Sequence, residues 1–120
     1  IPVWAIKHYL TGWAGSDDLV RAAASAVKSV SSRVLAARVG MVTRIDVTQE
    51  LAECGAPLLY VAAKRDRLVS RRSVRIITDI KPDISVVEID APHFIAQSRP
   101  VEVWRAIDRL VEKHRLYGGG

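Results

Sequence analysis

Two apolar runs flanking a helical stretch predict an α/β fold built on a short parallel sheet, preceded by a cluster of helices. The runs are residues 57–63 and 84–89, each short, continuous and rich in Val, Ile and Leu, as strands buried on both faces require. Between them, residues 70–80 place Val74, Ile77 and Ile80 at helical spacing and stop before Pro82. Each run leads into polar residues, Lys64-Arg65-Asp66-Arg67 in one case and Asp90-Ala91-Pro92-His93 in the other. A parallel pair joined by a right-handed crossover brings both carboxyl ends to one sheet edge. Asp66 and His93 are therefore expected side by side.

Taken in order, residues 1–10 carry Val3, Ile6 and Leu10 at a spacing that allows a short helix, with Pro2 in its first turn and Gly12 ending it. Ser16 reads as a helix N-cap followed by Asp17 and Asp18, where negative charge favours the first turn. The stripe Leu19, Ala23, Ala26, Val27 and Val30 continues that helix. Ser31 or Ser32 caps the next, which carries Val34, Leu35, Val39 and Val42. Residues 46–53 form a third short helix closing at Gly55, with Asp46 or Thr48 as its cap. Residues 1–55 thus read as a helical segment and 56–117 as a β-α-β-α unit. The last helix opens near Ser98, takes Pro100 in its first turn, and sets Val103, Trp104, Ile107, Leu110 and Val111 along one face. Residues 118–120 are three glycines, expected as a flexible tail.

The 120 residues are 49% hydrophobic and 26% charged, an ordinary globular composition for one domain. No apolar run approaches the roughly 20 residues of a membrane-spanning helix, and no signal-peptide pattern opens the sequence. A cytoplasmic protein with no membrane partner is the expectation. The single cysteine, Cys54, fits a reducing compartment and has no adjacent histidine to activate it. The net charge of +5 concentrates after residue 56, notably in Lys64, Arg65, Arg67, Arg71, Arg72 and Arg75. These residues lack interleaved aromatics and match no nucleic-acid-binding motif, so nucleic acid is not the expected partner.

Strand carboxyl ends are where open α/β sheets place their chemistry. A carboxylate that accepts the Nδ1 proton of a histidine sets its tautomer, and leaves Nε2 to act as base on a hydroxyl. Asp66 and His93 are the candidate catalytic pair; Asp90 is a reserve acid that also suits a turn. His8 and His114 have no ligand-spaced partners, so no metal or cofactor is expected. Trp4, Trp13 and Trp104 read as packing residues. Gly12-Trp13-Ala14-Gly15-Ser16 is the nearest approach to a glycine-flanked serine, and it is not G-x-S-x-G.

From Pro57 onward the chain resembles the C-terminal part of the α/β-hydrolase family. Ala56-Pro57-Leu58-Leu59-Tyr60-Val61 is similar to the penultimate core strand, Arg65-Asp66-Arg67-Leu68-Val69 to the acid loop, Ala91-Pro92-His93-Phe94 to the histidine loop, and Gln97-Ser98-Arg99-Pro100 to the start of the final helix. Residues 32–47 resemble the helices that precede this strand in small bacterial members. The resemblance implies a partial α/β-hydrolase fold with a cap-like helical segment, Asp66 as triad acid and His93 as triad base. The serine elbow and oxyanion-hole amides have no counterpart in these residues, so the chain by itself is not expected to hydrolyse esters. Two alternatives are a non-catalytic interaction module whose Arg71, Arg72 and Arg75 meet an acidic partner, and one part of a split or cleaved ester hydrolase joined by a complementary fragment. An unpaired sheet edge or apolar surface also leads us to expect a homodimer.

Overall fold

A computed structural model describes residues 1–117; the glycine tail at 118–120 lies outside the described residues. The chain begins with helix α1 (Val3–Ile6), whose last turn widens into a π-helical segment, Lys7–Thr11. Pro2 sits at the N-cap rather than inside the first turn, and Gly12 ends the segment at φ 73°. That positive φ is the left-handed conformation that glycine adopts without steric penalty. Helix α2 (Asp17–Lys28) is capped by Ser16, whose side chain accepts the Leu19 N–H at 3.2 Å, and α3 (Ser32–Val42) by Ser31, which accepts the Val34 N–H at 3.3 Å. Helix α4 (Thr48–Glu53) differs in detail from expectation. Its N-cap position is Val47, and Asp46 acts one residue earlier by accepting from the Thr48 amide and hydroxyl.

Strand β1 (Leu59–Ala63), helix α5 (Arg72–Ile80) and strand β2 (Ser85–Ile89) then form the crossover unit, followed by the short α6 (Ile95–Ser98) and the long α7 (Pro100–Tyr117). The two strands pair in parallel, Leu59 opposite Ser85 through Ala63 opposite Ile89. Helix α5 starts two residues later than the periodicity suggests, because the Ser70 hydroxyl accepts the Arg72 N–H and turns the chain into the helix. Helix α7 packs on both strands, α1 packs on α2, and α4 packs on α5.

Burial departs from the sequence reading more than element order does. The buried hydrophobic residues are Ile6, Val20, Ala23, Ala62, Ala63, Ile89, Ala91 and Ala106, five of them alanines that contribute little apolar area each. Val74, Ile77 and Ile80 of α5 are half-buried rather than buried, because a sheet of two strands cannot cover the helix. On α7 the face against the sheet is Val103, Ala106 and Leu110, while Trp104 is 66% exposed and Ile107 and Val111 are also exposed. Trp4 and Trp13 are exposed too, so none of the three tryptophans is a packing residue in this chain. Helix α3 buries none of its residues. The Cα radius of gyration, 16.7 Å, exceeds the about 14 Å of a close-packed chain of this length, which agrees with so small a core.

Among the described residues Ile89 is the one large aliphatic side chain of the two strands that is buried. Truncating it to alanine is expected to destabilise the chain by about 2–5 kcal/mol, the range for emptying a buried isoleucine site. Urea unfolding followed by circular dichroism measures the shift in midpoint.

Candidate functional site

The β1–β2 ladder does not stop where the strands end. The Lys64 N–H donates to the Ile89 carbonyl at 2.9 Å, and the Arg65 N–H to the Ala91 carbonyl at 3.1 Å. Those bonds pull the two following loops together, so Asp66 and His93 face one another. Asp66 Oδ2 lies 2.8 Å from His93 Nδ1. Asp66 Oδ1 accepts the amides of Leu68 at 2.8 Å and Val69 at 2.9 Å, folding the acid loop around its own carboxylate. Both carboxylate oxygens are thereby engaged, and the side chain is only 11% exposed.

His93 is held from the opposite side. The Phe94 N–H donates to the Leu10 carbonyl at 3.0 Å, which ties the histidine loop to the π-helical segment, and Pro92 is buried beneath Gly12. The imidazole remains about one-third exposed, and among the described residues Nε2 has no hydrogen-bond partner. With Nδ1–H donating to Asp66, the Nε2 lone pair points outward, the arrangement a general base needs.

Burial by itself pushes the Asp66 carboxyl pKa up. The Val69 amide, the His93 ring and the Leu68 amide outweigh that effect and hold it below the usual carboxylate value. Tyr60 on β1 moves the other way: burial raises its phenol pKa, and the nearby Asp66 carboxylate adds to the rise. A cleft of about 180 Å³ opens at this edge, lined by Tyr60, Asp66, Ser70, Arg71, Glu88 and His93 among others. Tyr60, Ser70 and Glu88 carried no signal in the sequence, because each lies in or near an element whose local pattern explains it without a site. Ser70 is the one serine along that cleft. Its oxygen accepts the Arg72 amide at the start of α5, and among the described residues it makes no hydrogen bond with His93.

The other candidates separate cleanly. Asp90 pairs with Arg65, Nε to Oδ1 at 2.7 Å, rather than with His93, and so ties the two loops together from outside. His114 Nδ1 donates to the Leu110 carbonyl oxygen of its own helix at 2.9 Å. Cys54 is a half-buried free thiol. Among the described residues no group of three or more His, Cys, Asp or Glu side chains converges as a metal site, and no helix is long and apolar enough to cross a membrane. Ser16 is exposed and committed to capping α2.

With this geometry established, the fold has a solved counterpart. The crystal structure of E-2-(acetamidomethylene)succinate hydrolase, an α/β-hydrolase, superposes on 57% of this chain with a TM-score of 0.55 and 24% sequence identity. The chain has a partial α/β-hydrolase fold, comprising a short parallel sheet with its helices. The match spans 26% of that hydrolase's length, so the likeness concerns fold alone. No family model and no curated protein matches the chain.

The lowered Asp66 pKa has a measurable consequence. A carboxylate held below its unfolded value stabilises the fold fully above about pH 4, and that stabilisation is lost as pH falls through the lower folded value. Asp66→Asn should therefore lower stability at pH 7 and flatten its decline between about pH 5 and pH 2. Urea midpoints measured across that range for both proteins test the sign.

Proposed function

We propose that this chain supplies the acid and the histidine of a Ser/His/Asp-type ester hydrolase centre, with the nucleophile contributed from outside these residues. The observation that carries the reading is the 2.8 Å contact between Asp66 Oδ2 and His93 Nδ1 at the carboxyl ends of two parallel strands, with Nε2 left open. Asp66 orients the ring and stabilises the imidazolium formed when Nε2 takes a hydroxyl proton. His93 then returns that proton to the leaving alcohol. Tyr60, half-buried beneath the pair, forms part of the floor. The carboxylic ester specificity and the kinship with esterases rest on the resemblance of the acid and histidine loops to the α/β-hydrolase family, an argument by fold analogy.

No G-x-S-x-G sequence occurs in the 120 residues. A hydroxyl and the amides that bind an oxyanion must reach His93 from another polypeptide segment, whether a complementary fragment or a second chain. The side of β1 away from β2 carries no strand among the described residues and is the natural place for such a segment to pair.

A fluorophosphonate probe should label no serine of this chain alone. Mixed with a polypeptide that carries the nucleophile elbow and oxyanion amides of an α/β-hydrolase, the chain should support hydrolysis of p-nitrophenyl acetate. His93→Ala should reduce that rate by on the order of 10⁶ and Asp66→Asn by on the order of 10⁴. Labelling of the lone chain, or a reconstituted rate indifferent to His93, would overturn the reading.

We also propose that the chain self-associates when no such segment is present. Its parallel sheet has two strands, and Trp104, Val101, Ile107 and Val111 expose apolar surface along α7. Light scattering coupled to size-exclusion chromatography is expected to give a dimer mass, and a monodisperse monomer would count against the proposal.

A further inference from the structure

We propose that the cleft between the π-helical segment and the acid loop binds an organic acid, its carboxylate on Arg67 beside His8 and its apolar body against Trp13 and Pro92. The cleft measures about 390 Å³, within the usual size of small-molecule sites, and is lined by His8, Gly12, Trp13, Arg65, Arg67 and Pro92, together with Ala14 and Asp66. Its walls are mainly apolar and its free polar groups few. That combination suits a small ligand with one charged end.

The charge balance around the cleft singles out Arg67. Arg65 is neutralised by Asp90, and the Asp66 carboxylate is occupied by two loop amides and His93. Arg67 makes no ion pair among the described residues. Its Nη1 lies 3.0 Å from His8 Nδ1 and 2.9 Å from His8 Nε2, and an imidazole carries no negative charge to answer the guanidinium. The remaining N–H groups of the planar guanidinium form a fork that matches a carboxylate bidentately.

The cleft is also held in shape from both sides. Arg67 is the residue after Asp66 and before Leu68, whose amide donates to Asp66, so the loop cannot swing without breaking that bond. His8 comes from the π-helical segment, 59 residues away in sequence, a backbone form that recurs at functional positions. Gly12, at φ 73°, lets the chain lie on Pro92, where an added Cβ would stand 3.2 Å from the proline Cβ. The indole of Trp13 stands edge-on to His8 with ring centroids 6.4 Å apart, and at 63% exposure it is open to a ligand.

Because Asp66 borders this cleft as well as the His93 cleft, a carboxylate on Arg67 lies beside the proposed reaction centre. If His93 is the base of that centre, the substrate is an ester that also carries a free carboxylate. This consequence rests on the hydrolase reading, whereas binding of the acid does not.

Isothermal titration calorimetry of the 120-residue chain with phenylacetate and with neutral phenylacetamide separates the charged contact from the apolar one. Phenylacetate is expected to bind at least tenfold more tightly. Arg67→Gln should abolish that preference, Arg67→Lys should retain part of it, and His93→Gln should leave it intact. Equal affinity for the two compounds on the unmodified chain would overturn the proposal without recourse to any variant. A preference that survives Arg67→Gln, or one that disappears with His93→Gln, would place the carboxylate elsewhere and overturn it too. Failure of the reconstituted hydrolysis would leave the binding result standing, so the two readings are judged separately.

Discussion

The parallel pairing of β1 with β2, continued for two hydrogen bonds beyond the strands, is the constraint on which the candidate site depends. Strands end and loops begin at Ala63 and Ile89, yet Lys64 and Arg65 still donate to Ile89 and Ala91. An Asp66–His93 contact between residues 27 apart in sequence would otherwise require ordering two flexible loops at considerable entropic cost. The ladder orders most of that backbone beforehand, and the Arg65–Asp90 pair, though exposed and weak alone, closes the same two loops from outside.

Within that frame, the electrostatics of Asp66 follow from competing effects. Burial disfavours its charge, and two backbone amides with one imidazole restore the balance. A carboxylate so engaged can orient a histidine without rotating away from it. The N-terminal helices contribute in the same direction: the Leu10 carbonyl holds Phe94, and Gly12 covers Pro92. Residues far apart in the chain thus support one side chain, His93, from opposite sides.

Packing has a different character. The core is small and rich in alanine, and three tryptophans, most of α3 and one side of α7 face outward. Apolar stripes on these helices are real in sequence, but a stripe is buried only if something lies against it. A two-strand sheet presents too little surface to satisfy α5 and α7 together.

Local chemistry, which the sequence by itself determined, includes the helical segment followed by a β-α-β-α unit, the Ser16 cap, the glycine that ends the first helix, and the strand-helix-strand unit that brings Asp66 and His93 to one edge. These features depend on neighbours within a few residues or on the handedness of a crossover, so periodicity and punctuation reveal them. Only the tertiary structure decided that Asp90 turns to Arg65, that Tyr60 lies beside the pair, that His8 meets Arg67, and which apolar faces remain open. Each of those outcomes is set by which distant surfaces come together and by how much area they offer one another, and no local pattern encodes either quantity.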